Sequence, residues 1–263
     1  MKTILITGST DGIGLEAAKL LVSQGHRVLL HGRTEEKLVR VASELGGVQA
    51  FRADLSKLAD VQSLAEEVRA AHSKLDVLIN NAGVFHTSNT VAQGIDVRFV
   101  VNAVAPYLLT RELLPVLPGG RVINVSSAAQ QSVAADAFAT AGGLSAGAAY
   151  AQSKLALTMW SRALADALGA DGPSVVAVNP GSMLGTKMVR DGFGVAGGDV
   201  AIGARILVRL ALEAEGEESG KYFDNDIGRF GPPHPDALDG EKAQRVVRAI
   251  ESMLAQVMPA STR

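Results

Sequence analysis

The sequence predicts a doubly wound α/β fold, a parallel sheet of about seven strands with helices on both faces. Three observations lead there. Short β-branched apolar runs alternate with amphipathic stretches of helical period along the whole chain. Glycines cluster where the first strand gives way to the first helix. Polar residues recur where strands end, and that rim is where such sheets hold ligands. The 263 residues suffice for one domain, 1–263, and no repeat, linker or shift of composition divides them.

Composition narrows the possibilities. At 47% hydrophobic and 20% charged residues the chain has the profile of a folded globular protein. Its net charge of −2, with no dense Lys/Arg cluster, gives no support to nucleic acid or an anionic membrane as partner. The absence of Cys excludes disulfides, thiolate metal sites and a Cys nucleophile, and no metal site is expected. No apolar run approaches the roughly 18 residues of a membrane span. MKTILITG leads straight into a strand rather than a leader, so a cytoplasmic protein is expected.

The elements follow in order. KTILIT (2–7) is a buried strand, and Gly8-Ser9-Thr10-Asp11-Gly12-Ile13-Gly14 is a turn into the helix LEAAKLLVSQG, stopped at Gly25. Glycines at such a junction let backbone approach a pyrophosphate, with the helix N-terminus supplying amide donors. The second strand, 26–31, ends at His31-Gly32-Arg33. No carboxylate stands there for a ribose 2′-hydroxyl, whereas the Arg33 guanidinium suits a 2′-phosphate, so NADP (NADPH) is expected over NAD.

A helix (35–46), a strand ending at Asp54-Leu55 and a helix (58–73) come next. A fourth strand ends in Asn80-Asn81-Ala82-Gly83, and a long apolar helix (97–117) carries Asn102 and breaks near Pro115 and Pro118. GGRVINVSS ends a fifth strand at Ser126-Ser127; a period of two sends these serines to opposite faces, so one alone can face a site. The Ala/Gly-rich stretch 128–149 is long for a loop and is expected to wall a site. PSVVAVNPGS is a sixth strand ending at Asn179-Pro180-Gly181, and 182–198, with Met183, Leu184, Met188, Val189 and Phe193, has the makeup of an apolar flap. A helix (199–214), a short closing strand in GKYFDND, a proline-rich turn and a terminal helix complete the chain.

The chemistry centres on Tyr150 and Lys154, at the start of the helix YAQSKLALTMWSRALADAL. Four residues apart, they lie on one helix face. An ammonium beside a phenol favours phenolate, which would lower the Tyr150 pKa and make it a proton donor and acceptor.

Together, Thr7-Gly8-Ser-Thr-Asp-Gly12-Ile-Gly14, Asp54-Leu55, Asn80-Asn-Ala-Gly83, Asn102, Ser127, Tyr150-x-x-x-Lys154 and Pro180-Gly181 resemble the short-chain dehydrogenase/reductase family across almost the whole chain. The 23-residue interval from Ser127 to Tyr150, the YxxSKLA stretch and Ser-Gly-Lys-Tyr-Phe (219–223) are similar to the retinol-dehydrogenase-like branch. The resemblance implies a Rossmann fold whose turn Gly8 to Gly14 cradles the dinucleotide. It implies Arg33 on the 2′-phosphate, Asp54 and Leu55 beside the adenine, and Asn80, Asn81, Ala82 and Gly83 along the cofactor. Tyr150 would be the acid/base, Lys154 would bind the nicotinamide ribose, Ser127 would bind the substrate oxygen, and Asn102 would hold a water leading from Lys154. Pro180, Gly181 and Thr186 would lie by the nicotinamide, although Thr186 stands one residue beyond the family's PGxxxT.

The expected activity is NADP-dependent interconversion of an apolar ketone or aldehyde and its alcohol, as in a carbonyl reductase. The alternative is a non-catalytic NADP-binding sensor or scaffold on the same fold; an epimerase or dehydratase fits the glycine spacing less well. Family members often dimerise through helices corresponding to 98–117 and 150–168, while relatives with the long interval are sometimes monomers, so either state is expected.

Overall fold

The structure, a computed structural model, describes residues 1–213 and 218–258. In chain order it runs β1 (Thr3–Ile6), α1 (Gly12–Ser23), β2 (Arg27–Gly32), α2 (Glu35–Glu44), β3 (Ala50–Arg52), α3 (Leu58–Ala71) and β4 (Val77–Asn80). A hairpin of β5 (Val91–Ala92) and β6 (Ile95–Asp96) follows, then α4 (Val97–Phe99), a π-helical turn (Val100–Val104), α5 (Ala105–Leu113) and a 3₁₀ turn (Leu114–Val116). The second half comprises β7 (Arg121–Val125), α6 (Ala146–Leu168), β8 (Ser174–Asn179), α7 (Lys187–Phe193) and α8 (Val200–Leu212). It closes with β9 (Tyr222–Asp224), β10 (Arg229–Gly231), α9 (Pro235–Leu238) and α10 (Gly240–Val257).

The main sheet has the order β10-β9-β8-β7-β4-β1-β2-β3. Seven strands are mutually parallel, as expected, and β10 adds an antiparallel edge through the pairing of Phe230 with Phe223. Neither β10 nor the β5–β6 hairpin was expected, because segments of two or three residues carry no readable period. Strands buried on both faces read as continuous apolar runs, and Ile4, Leu5 and Ile6 have no exposed surface. Leu5 and Leu78 face a core shared with α3, α5, α6 and α10; Ile4, Ile6 and Ile79 face one shared with α1, α2 and α8. Winding reverses between β1 and β4, which opens a crevice at the carboxyl ends of those strands.

Several boundaries differ from expectation for local reasons. Helix α1 begins at Gly12 rather than Leu15, because the Asp11 carboxylate accepts the Gly12 N–H as an N-cap (2.8 Å). Helix α6 begins at Ala146, capped by Ser145, so Tyr150 sits in its second turn and not at its start. β3 ends at Arg52, leaving Asp54 and Leu55 in the following turn. The stretch 182–198 contains a helix, α7, and is no plain loop; nothing is described of the Phe193 side chain. Ala214, the last residue of the helix expected over 199–214, lies outside the described residues. The segment Val97–Val116 is long and apolar enough to cross a membrane by length and mean hydropathy, though charged residues interrupt it, and 78% of its most apolar 18-residue window is buried within the fold.

Candidate active site

The crevice between β1 and β4 is stitched by side chains. Asn81 donates from Nδ2 to the carbonyls of Thr7 (2.9 Å) and Gly8 (3.1 Å), and the Thr7 hydroxyl accepts the N–H groups of Asn81 (3.0 Å) and Ala82 (3.1 Å). The packing is close enough to demand glycine. Gly8 has φ +65°, and a Cβ on it would lie 3.0 Å from the Ala82 Cα; one on Gly14 would lie 2.4 Å from Asn81 Nδ2 and 2.5 Å from the Gly8 oxygen. This is the backbone approach a pyrophosphate needs, with the start of α1 behind it. Asn80, expected along the cofactor, instead points into the core, where its Nδ2 donates to Thr110 (3.0 Å) and Asn124 (2.8 Å).

His31, not singled out from the sequence, secures the outer half of this cradle. Its Nδ1 accepts the Gly8 N–H (3.1 Å) and its Nε2 reaches the Ala53 carbonyl (3.2 Å), which joins the ends of β1, β2 and β3. A backbone N–H can only donate, so the ring is neutral with its proton on Nε2. Burial holds its pKa down at about 4. A polar residue closing the apolar run RVLLHG was the available signal. Ser9 is buried beside it and bonds the His31 backbone, while Arg33 is exposed at the mouth. A Cβ at Gly32 would meet the Thr10 methyl at 2.8 Å, so a carboxylate-bearing residue at this position would have to displace the Thr10 side chain. Asp54 turns back on Ser56 (3.0 Å to N, 2.8 Å to Oγ), and Leu55 is buried.

On the other side of the crevice Lys154 is buried and donates from Nζ to the Val125 carbonyl at the end of β7 (2.7 Å). Its Nζ lies 5.8 Å from the Tyr150 ring centroid and 3.4 Å from where a Gly83 Cβ would stand. Desolvation lowers the Lys154 pKa to about 8. The expected lowering of the Tyr150 pKa is not met: burial raises it, and only Ser127 opposes that shift. The ammonium is spent on a carbonyl rather than on the phenol, so desolvation wins. Ser126 is buried against the Lys154 carbonyl (3.1 Å) and Thr158 (2.8 Å), which leaves Ser127 as the serine facing Tyr150.

Asn102 sits in the π-helical turn, a widened turn that recurs at functional sites. Its side chain clamps the strand loop by accepting the Val84 N–H (2.8 Å) and donating to the Val84 carbonyl (3.0 Å) and Ser153 Oγ (3.0 Å). Phe85, also missed from the sequence, lies against Tyr150 with ring centroids 5.1 Å apart. The α7 flap closes the far wall: Met188 Cε is 3.8 Å from a Gly83 Cβ position, and a Cβ at Gly192 would meet the Phe85 ring at 2.8 Å. Thr186 caps α7 (Oγ1 to Val189 N, 3.2 Å) and its methyl lies 3.7 Å from a Gly12 Cβ position, so it sits over the glycine turn. Pro180 and Gly181 are held by Asn179 Oδ1 on Gly181 N (3.2 Å) and Asn225 on the Pro180 carbonyl (2.9 Å). Among the described residues no His/Cys/Asp/Glu cluster could hold a metal ion.

Comparison with known proteins gives the family and the fold. Residues 2–193 match the model of the short chain dehydrogenase family. The chain is 32% identical to retinol dehydrogenase 13 of Mus musculus over 93% of its own length and 81% of the relative's. It is similar to a solved structure from Escherichia coli CFT073 described as a short chain dehydrogenase complexed with NADPH (TM-score 0.71, 29% identity, covering 85% of this chain and 96% of that one). A further neighbour is the Pseudomonas aeruginosa RhlG/NADP active-site complex (TM-score 0.70, 28% identity, 85% and 94% covered).

Proposed function

The chain belongs to the short-chain dehydrogenase family, in its retinol-dehydrogenase-like part, and from that membership we propose that it is an NADP-dependent oxidoreductase interconverting an apolar ketone or aldehyde and the corresponding alcohol. The observation that carries the reading is the convergence of Ser127, Tyr150 and Lys154 at the end of β7, within reach of Gly83 and the crevice. The glycine turn and Lys154 fit a dinucleotide, which when bound supplies or accepts the hydride. Tyr150, kept protonated by its buried setting, gives its proton to the substrate oxygen in reduction and takes it back in oxidation. Ser127 donates a hydrogen bond to the same oxygen as charge develops on it. Lys154, fixed on the Val125 carbonyl, holds the cofactor ribose and keeps positive charge close to Tyr150.

Exposed Arg33 and the crowded position at Gly32 support NADP over NAD, in keeping with the NADPH and NADP carried by the two solved neighbours. Phe85 and Met188 support an apolar substrate. A cytoplasmic location without a membrane partner is part of the same proposal. Titration with NADPH and NADH tests the cradle: NADPH should bind at least tenfold tighter, and Arg33→Ala should remove most of that margin. Tyr150→Phe should keep NADPH affinity yet lose about 10²-fold or more in turnover. Undiminished turnover would instead favour the sensor or scaffold reading.

A further inference from the structure

The segment Ser219-Gly-Lys-Tyr-Phe223 takes no part in the chemistry above, yet it ends beside the site. Tyr222 opens β9, two strands away from β7, and is buried. Its cross-strand partner on the intervening β8 is Ala177, whose side chain is only a methyl. Over that gap the Tyr222 hydroxyl reaches the Ser127 carbonyl and donates to it at 3.1 Å. The same carbonyl accepts a second bond from Gln130 Nε2 at 3.0 Å, and Gln130 Oε1 is in turn held by the His234 N–H at 3.2 Å. Both lone pairs of one carbonyl are thereby filled from the closing strand and the substrate loop. Ser127 lies beyond the last residue of β7, where the sheet ladder no longer fixes it.

We propose that Tyr222 is a positioning residue that sets the Ser127 hydroxyl against Tyr150 by fixing the Ser127 backbone carbonyl. The proposal rests on the reading of Ser127 as the group that binds the substrate oxygen. Burial, with Asp224 and Asp226 nearby, pushes the Tyr222 phenol up, so it remains a donor throughout the working pH range. Because Ser127 opposes the rise in the Tyr150 pKa, a displaced Ser127 leaves that pKa higher still. Among the described residues, Lys154 on its own helix and His86 behind Phe85 are titratable groups near Tyr150.

The test is a double-mutant cycle on the full chain, with NADPH and any carbonyl compound the wild type reduces. Tyr222→Phe should lower kcat about tenfold, the worth of one hydrogen bond felt at the reacting centre. It should leave NADPH affinity unchanged and move the Tyr150 limb of the pH profile upward. Added to Ser127→Ala, it should cost nothing more. Equal losses in both backgrounds, a fall in NADPH affinity, or no loss at all would overturn the proposal. A fully active Ser127→Ala would overturn the reading of Ser127 itself, which is visible without any Tyr222 variant, and this proposal with it. Gln130→Leu removes the other donor and should show the same Ser127-dependent loss; it answers the question if Tyr222→Phe melts at a lower temperature.

Discussion

Lys154 and Tyr150 lie one turn apart on α6, and their surroundings push their pKa values in opposite directions. Burial brings the lysine down to about 8 and the phenol up. A lysine with a lowered pKa is an ammonium below that value and loses its charge as pH rises through it. In the free enzyme kcat/KM for reduction should therefore fall above about pH 8, while Tyr150 is still protonated. A profile of kcat/KM between pH 6 and 10 checks this, and Lys154→Arg should remove the fall, because its guanidinium does not titrate there. The sequence spacing placed the two side chains on one face, but it did not show which partner the ammonium would take. That partner is the Val125 carbonyl, a strand-end atom invisible to any i, i+4 argument.

At the scale of elements, the turn into α1 has the least slack. A Gly14→Ala Cβ would sit inside contact distance of both Asn81 Nδ2 and the Gly8 oxygen. The expected cost is about 1–3 kcal/mol of stability, the usual range for overpacking, together with at least a tenfold weaker NADPH affinity. Melting curves with and without NADPH separate the two effects. This element was legible in advance because glycines at a strand-to-helix junction have few other uses. The central strands β1, β2, β4, β7 and β8 were legible for the same kind of reason, each being an apolar run bounded by turn residues, whereas the three-residue β3 and β9 were placed by the turns and helices around them. The π-helical turn at Asn102 was not: VVNAV has no feature that distinguishes it from regular helix, and the wider turn is stabilised by tertiary bonds to Val84 and Ser153. His31, Phe85 and Tyr222 were missed likewise, since their partners are 22 to 95 residues distant in sequence.

At the scale of the molecule, α10 settles against the helices through which family members often dimerise, where the sequence left dimer and monomer both open. Ala243, Val246, Ile250 and Met253 form its buried stripe, and it packs on α6. Glu251 accepts from the Tyr107 hydroxyl (2.8 Å) and from Arg111 (2.7 Å) on α5, while Tyr107 meets Trp160 edge-on at 5.5 Å. The apolar faces of 98–117 and 150–168, which would allow a dimer, are thus covered within the chain. Sedimentation at micromolar concentration should give a monomer. Removing residues 240–263 should expose the covered stripe and produce dimers or larger species, and a stable full-length dimer would contradict this.

The two ends of the main sheet are also short. β3 and β10 have three residues each, and β10 runs directly into Pro232 and Pro233, which have no N–H to offer. Unpaired strand edges are where β-rich chains template one another into aggregates, and a three-residue edge followed at once by two prolines gives an incoming strand little to bond. The antiparallel strand that the sequence hid therefore also blunts the sheet, ending it at a border that offers another strand few backbone groups to bond.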